Sequence, residues 1–225
     1  TNPPIDPIRE RVVMSLQSHL GIRPRHLAPD SVSAQTMLLP TPVLNESELA
    51  FLYTLDSPLK ATKISTVFDR GRGLEAAIRA LCERVRQEVK FGCTIVVLSD
   101  RQNELRNPAI PPMMAAGAVH HDLIEAGLRL STSIVVETAQ CWTSHHLACL
   151  LAVGANAVCP YLALESVRVW AGSEKVRNLV EKAEELSATE NTGSETGPQA
   201  ELEGYQGLTV AEALGRYKEA LEHGL

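Results

Sequence analysis

The sequence predicts an α/β fold, in which successive parallel β/α units form a partial or degenerate TIM-barrel-like domain with extra N- and C-terminal helices. From residue 61 onward, strand-like and helix-like segments alternate. The apolar run within 93–100 is unbroken, as expected where both faces of a parallel sheet are covered. Three predicted strands also end in a carboxylate, at Asp69, Asp100 and Glu137. Equivalent strand ends suit a barrel rim, although an open doubly wound sheet is the alternative.

The first part of the chain, 1–60, is predicted to form lead-in helices and loops. Residue 21 is a glycine that would stop a first helix, and residues 22–44 are proline-rich and irregular. A second helix should follow Asn45, because Asn45 and Glu48 have the spacing of a capping box. The first helix is predicted from apolar residues at helical spacing: Ile8, Val12, Leu16 and Leu20.

The β/α core is predicted over 61–171, with crossovers of one hand between parallel strands. Its first helix carries an apolar stripe, and its second begins with proline. The predicted strands are 61–69, 93–100, 131–138 and 156–161. The predicted helices are 73–92, 111–128, 142–155 and 162–170.

Two further segments follow the core. Residues 187–204 contain almost no large apolar side chains, so burial cannot offset the entropy of ordering them, and a mobile insertion is predicted. Residues 207–225 are predicted to form a C-terminal helix, because Thr209 and Glu212 have capping-box spacing before an apolar stripe. This helix is expected to dock on the core or on a neighbouring domain.

Composition excludes several classes of partner. The net charge of −6, without a cluster of Lys and Arg, argues against nucleic acid. No apolar run is long enough to span a bilayer and no signal-peptide pattern is present, so no membrane partner is expected. The five cysteines form no CxxC pair, which indicates free thiols in a reducing compartment. An initial Thr1 in place of methionine is compatible with a piece of a longer polypeptide.

The segment 137–146, "ETAQCWTSHH", is rich in groups that carry chemistry. Cys141, His145 and Cys149 would share one helix face, and Glu137 or Cys159 could complete a zinc site. Cys141 near a helix start, with His145 as its base, would alternatively make a nucleophile. The paired metal-ligand spacing and the oxyanion-hole glycines that these sites need are absent. Core packing and helix-start hydrogen bonds are therefore the favoured interpretation, and no catalytic, cofactor or metal residue is predicted.

The carboxylates Asp69, Asp100 and Glu137 are stronger candidates for a functional site, because strand ends face the active-site rim in barrels. Arginines lie beside two of them, and the helices that follow need caps. Local ion pairs and caps are therefore favoured over a functional role.

Longer strings of the sequence resemble a known family. "NPPIDPIRE", "AGAVHHDLIEAGLR", "IVVETAQCWTSHHLACLLAVGANAVCPYLALESVRVW" and "LTVAEALGRYKEALEHGL" are similar to the central domain of the large glutamate synthase chain. The variant "ETAQCW" resembles the ferredoxin-dependent branch. The resemblance covers the chain apart from the polar insertion, and Asn156 departs from it where a small hydroxyl residue is usual.

The resemblance implies a parent enzyme that makes L-glutamate from glutamine and 2-oxoglutarate. Its glutamine amidotransferase domain sends ammonia through an internal tunnel to an FMN-binding synthase domain, which also uses an iron–sulfur cluster and accepts electrons from ferredoxin. The catalytic motifs of both domains are missing here. The resemblance therefore implies a connecting domain that holds no cofactor, is not catalytic alone, and helps to wall the tunnel, in the cytoplasm or in the plastid stroma of a photosynthetic eukaryote.

Seven residues are candidates for the interface or the tunnel wall: Asp69, Asp100, Arg101, Glu137, His145, His146 and Tyr161. Two other functions stay open. One is a stand-alone barrel-type lyase or metal-dependent enzyme that uses the three strand-end carboxylates with His145. The other is a binding module that docks a partner through the helix at 209–221.

Overall fold

The computed structural model describes residues 15–23, 36–101, 107–188 and 204–225. Its strands are β1 (Ser18–Gly21), β2 (Thr36–Leu39), β3 (Ala61–Ser65), β4 (Ile95–Ser99), β5 (Ser133–Glu137) and β6 (Ala157–Cys159). Its α-helices are α1 (Glu46–Leu52), α2 (Leu74–Lys90), α3 (Pro112–Glu125), α4 (Ser144–Ala152), α5 (Tyr161–Ala171), α6 (Glu174–Ala188) and α7 (Val210–His223). None of the helices in these ranges has the length and apolarity that a membrane span requires.

Strands β3, β4, β5 and β6 form one parallel sheet in the order in which they occur along the chain. A doubly wound sheet reverses its strand order at a switch point, and the described strands show no such reversal. Sequential order with crossovers of one hand places the helices on one face of the sheet, as in a barrel. The predicted partial barrel is therefore confirmed, and the described strands do not close into a full one.

The two edges of this sheet differ. Val43 forms a parallel bridge with Val158, and Val158 N donates to Pro42 O at 2.8 Å, so the β6 edge is covered. On its other side β3 has no strand partner among the described residues.

Both faces of the sheet are buried, each by a different layer. Side chains alternate between the faces along each strand, so neighbouring residues enter different clusters. On the outer face, α2, α3 and α4 cover Val96, Ile134 and Val158, among others. On the inner face, the β1–β2 hairpin and α1 cover Val97 and Val135. The hairpin and helix thus occupy the side where a complete barrel would have its interior.

Most of the predicted elements are present. Both capping boxes form: Asn45 with Glu48 at α1, and Thr209 with Glu212 at α7. α6 was not predicted. The predicted mobile insertion, 187–204, lies outside the described residues except for the end of α6 and Gly204.

The predicted first helix is wrong over its last residues, because 18–21 form strand β1. Leu20 is fully buried on the inner face of the sheet, and Gly21 N donates to Ser133 Oγ at 3.0 Å. Burial and pairing with β2 therefore override the helical spacing of Leu16 and Leu20. The preceding residues, 1–14, lie outside the described ranges.

The first core strand is shorter than predicted. It ends at Ser65, four residues before Asp69. Beyond it, Thr66 N still donates to Ser99 O at 2.9 Å, but Phe68 N donates to Pro108 O in the loop that leads to α3. The chain therefore leaves the sheet before the carboxylate is reached.

The hairpin should be a stabilising part of the domain. We expect Leu20→Ala to lower the free energy of unfolding by about 2–5 kcal/mol, because it opens a cavity under the inner face. Leu38→Ala is the matched control, because Leu38 lies on the paired strand but is 51% exposed; its effect should stay within about 0.5 kcal/mol. Urea denaturation measures both, and equal losses would contradict this role of the hairpin.

Candidate functional site

Glu137 is the centre of the polar groups at the carboxyl ends of the strands. Its side chain is buried, at 2% exposure, although it is the last residue of β5. Ser99 Oγ donates to Glu137 Oε2 at 2.6 Å, and the Lys63 ammonium lies 2.6 Å from the same oxygen. Arg101 donates to Oε1 at 3.1 Å. Both carboxylate oxygens therefore have partners, which come from β3, from β4 and from Arg101, two residues beyond the end of β4.

These contacts determine the charge of Glu137. Burial by itself would raise the pKa of this carboxyl, but the hydrogen bonds from Lys63, Ser99 and Arg101 outweigh burial and hold the pKa below its usual value. A general acid or base works best with a pKa near the operating pH. The geometry therefore favours a carboxylate that is ionised near neutral pH and links the strands, over a group that transfers protons.

Arg101 extends the network beyond the sheet. Its guanidinium also pairs with Glu46 at the start of α1, and it lies over the Tyr161 ring with 4.8 Å to the ring centroid. The pKa of Arg101 is raised, chiefly by the hydrogen bond to Glu46. Arg168 of α5 reaches Glu46 at 3.4 Å. One chain of charges thus joins the sheet to α1 and α5.

Asp100 is the second buried carboxylate, and its contacts are to the loop after β5. Its Oδ2 accepts from Thr138 Oγ1 at 2.6 Å, and its Oδ1 accepts from Ala139 N at 3.1 Å. Tyr161 lies close by, and burial, together with the negative charge of Asp100, raises its pKa to about 12. Asp100 therefore holds the loop that leads into the "AQCW" segment.

Asp69 is separate from these two carboxylates. It is exposed, and its Oδ1 accepts from Gly71 N at 2.9 Å, which caps the short 3₁₀ turn Arg70–Arg72. The prediction that Asp69 ends a strand is therefore wrong, and the favoured interpretation of a local cap is confirmed at this residue.

The two histidines of the quoted segment are exposed and make local contacts. His145 Nε2 lies 3.6 Å from the Cys149 sulfur. His146 Nδ1 accepts from Trp142 N at 3.2 Å, next to the Thr143 side chain that caps α4. They take part in the helix start and not in the Glu137 network.

Cys141 is fully buried, and burial raises its pKa to about 11. A reactive cysteine needs its thiolate stabilised, so this environment disfavours a nucleophile. Within the described ranges, no three His, Cys, Asp or Glu side chains are grouped so that they could hold a metal ion. The stand-alone enzyme would need the three carboxylates and His145 to act together at one site. In the structure each of them contacts different partners.

Several members of the network are not evident from the sequence. Lys63 and Ser99 lie inside predicted strands, and the register of these strands brings them to Glu137. Glu46 lies at a predicted helix start and gives no sign of its distant partner. A lysine inside a predicted strand is the sequence signal that could have identified Lys63.

Large apolar side chains are exposed at the same end of the sheet. They stand at or just before the helix starts that follow β4, β5 and β6, and we call them the apolar rim: Met113, Met114, Trp142 and Leu162. Between 41% and 50% of each is exposed. Exposed apolar groups bordered by polar residues are typical of protein interaction surfaces.

Comparison with known proteins gives a family match. A family model described as glutamate synthase central domain matches residues 1–224. Ferredoxin-dependent glutamate synthase 2 of Synechocystis sp. is 48% identical over 187 residues, covering 80% of this chain and 12% of that protein. The chloroplastic ferredoxin-dependent glutamate synthase of Spinacia oleracea is 48% identical over 186 residues, covering 80% and 11%. The Pyropia yezoensis ferredoxin-dependent enzyme is 40% identical over 230 residues, covering 100% and 14%. The chain thus spans 11–14% of the length of these curated relatives.

Removing the charge of Glu137 should destabilise the domain. We expect Glu137→Gln to lower the free energy of unfolding by about 1–3 kcal/mol, because it weakens charge-assisted hydrogen bonds while leaving the shape unchanged. The loss stays below that of a fully buried pair because Lys63 and Arg101 can reach water. Glu165→Gln is the control, because its pair with Arg168 is exposed and its effect should be at most about 0.5 kcal/mol. Equal effects in urea denaturation would contradict the central role of Glu137.

The same network should give a pH dependence of known sign. The pKa of Glu137 is lower in the folded protein than in the unfolded chain, so its stabilisation is complete above about pH 5 and is lost in acid. We expect the stability difference between the wild type and Glu137→Gln to shrink as the pH falls below about 4. Denaturation midpoints over a pH series measure this, and a difference that grows in acid would refute it.

Proposed function

The chain belongs to the glutamate synthase central-domain family, and from this premise we propose that it is the connecting domain of a ferredoxin-dependent glutamate synthase. The family that the sequence strings resemble is confirmed by this match. In this proposal the domain links a glutamine amidotransferase domain to an FMN-binding domain and helps to wall the ammonia path between them. The parent enzyme makes L-glutamate from glutamine and 2-oxoglutarate. The observation that carries the proposal is the match over nearly the whole chain to one internal part of much longer relatives.

The carboxyl end of the sheet is the proposed contact with a neighbouring domain. The apolar rim supplies the side chains that would be buried, while His145, His146 and the exposed Asp69 supply polar groups at its margin. Domain interfaces combine apolar and polar contacts in this way. Both oxygens of Asp100 and of Glu137 already accept hydrogen bonds from within the domain. These two carboxylates would act by positioning the surface, because Arg101, which pairs with Glu137, lies over the ring of Tyr161 at the start of α5.

The wall of an ammonia path has to exclude water, because ammonia that meets water is protonated and lost. The apolar rim is suited to this, and the ion pairs below it hold the rim in place without presenting a free base. This supports a role in confining ammonia and not in transforming it.

The cofactors of the parent enzyme are proposed to lie in its other domains. Iron–sulfur clusters are held by several thiolates gathered at one site. Within the described ranges, no cysteine is grouped with two further His, Cys, Asp or Glu side chains as the ligands of a metal centre would be. FMN and the cluster, with ferredoxin as donor, are therefore assigned to the neighbouring FMN-binding part.

The compartment follows from the thiols and from the relatives. All five cysteines are free, which supports a reducing compartment. Relatives from Spinacia oleracea and Oryza sativa are named chloroplastic. We therefore place the protein in the cytoplasm, or in the plastid stroma if its source is a photosynthetic eukaryote.

The decisive experiment measures coupling in the complete synthase that contains this domain. We expect Trp142→Ala to keep glutamine hydrolysis but to raise severalfold the ammonia released per glutamate formed, because the apolar rim no longer seals against its neighbour. Parallel assays of ammonia and glutamate measure the ratio.

Phe91→Ala is the matched control, because Phe91 is 80% exposed but follows α2 at the opposite end of the sheet. Its ratio should stay at the wild-type value. The 225-residue chain alone should release no ammonia from glutamine and bind no FMN. An unchanged ratio in Trp142→Ala, or either activity in the chain alone, would overturn the proposal.

A further inference from the structure

A polar cavity lies at the β3 edge of the sheet, beside the Glu137 network. Its volume is about 260 Å³, and it is lined by Lys63, Ser65, Arg84 and Ser99. Ser65 and Ser99 are register partners on β3 and β4, so their side chains stand next to each other on one face. Lys63, two residues before Ser65, faces the same side. The cavity thus combines two cationic groups and two hydroxyls.

Arg84 reaches this cavity from α2. Arg86, two residues further along the helix, donates to Asp122 of α3 at 3.0 Å. Two residues turn a helix by about 200°, so Arg84 lies on the opposite side, along the edge of β3. Arg84 is exposed and makes no hydrogen bond or ion pair with the residues that the structure describes.

The charges around the cavity leave an excess of positive charge. The chain of ion pairs that begins at Lys63 alternates in sign and contains equal numbers of cations and carboxylates: Lys63, Glu137, Arg101, Glu46, Arg168 and Glu165. Lys63 is the end of this chain, and among the described residues Glu137 is its one ion-pair partner, so part of its ammonium group faces the cavity. Arg84 adds a positive charge that no carboxylate within the described ranges balances.

The hydroxyls have distinct hydrogen-bonding roles. Ser65 Oγ accepts from Val67 N at 3.2 Å, which leaves its proton available to a ligand. Ser99 Oγ gives its proton to Glu137 and accepts from Arg101 N at 3.2 Å, so it can offer a ligand one further lone pair as acceptor. The cavity therefore offers donors from Arg84, Lys63 and Ser65, and one acceptor.

We propose that this cavity binds a small oxyanion, the phosphate or carboxylate group of a metabolite. The Arg84 guanidinium provides the planar fork that matches either group. Lys63 and Ser65 provide further donors, and Ser99 accepts from a protonated oxygen, as in hydrogen phosphate. The volume admits such a group with a few water molecules.

The test uses the 225-residue chain titrated with inorganic phosphate or with succinate, against sodium chloride at equal ionic strength. Binding is followed by thermal unfolding and by isothermal titration calorimetry. We expect a stabilisation that saturates with ligand concentration and exceeds that of chloride. Arg84→Gln should weaken binding about tenfold, as expected for the loss of a charge-assisted hydrogen bond.

Arg79→Gln is the matched control, because Arg79 lies on the same helix and its side chain is 77% exposed in a pair with Glu75. It should bind like the wild type, while Ser65→Ala should bind severalfold more weakly. Circular dichroism confirms that each variant is folded. Saturation by phosphate alone or by succinate alone identifies which oxyanion the cavity prefers. A response equal to that of chloride, or equal binding by Arg84→Gln and the wild type, would overturn the proposal.

Discussion

The burial of one carboxylate organises this domain. A charge removed from water must find opposite charge and hydrogen-bond donors, or its desolvation opposes folding. Glu137 finds them on separate pieces of chain, at Lys63 on β3, at Ser99 on β4 and at Arg101 beyond β4. Because Glu137 needs these partners, the carboxyl ends of β3, β4 and β5 must lie side by side. Through Glu46 the same requirement reaches α1.

The incomplete barrel explains why this end of the sheet lacks the central mouth of a closed barrel. In a closed barrel, the strands surround an interior and the loops form a mouth above it. Here the β1–β2 hairpin and α1 cover the inner face, with Leu20 and Leu52 buried against it. The ion pairs then close the space above. What is left to face outward is the apolar rim, including Met114 and Trp142, and this arrangement suits contact with another domain.

Sequence reasoning succeeded where packing uses the local pattern directly. The apolar run of β4 and the stripe of α2 predict their own burial, and the predicted capping boxes form. The prediction of a helix at Leu20 failed, because burial against a sheet that is distant in sequence overrode the helical spacing of apolar residues. At the site, sequence reasoning identified Glu137, Arg101 and Tyr161. It did not identify their partners Lys63, Ser99 and Glu46. Arg101 and Glu46 are 55 residues apart, and only the fold brings them together. The "ETAQCW" segment itself separates into a strand end, a buried thiol and a helix start.

The position of Lys63 also affects how readily copies of the domain aggregate. An exposed sheet edge is a template on which a strand of another molecule can pair, and repeated pairing leads to aggregates. β3 is only five residues long, and Lys63 is its middle residue with its charge turned inward over the sheet. A strand from another molecule would have to pair beside the Lys63 ammonium group, which Glu137 holds in place. The ion pair that joins the strands within one molecule thus also discourages their addition to the next.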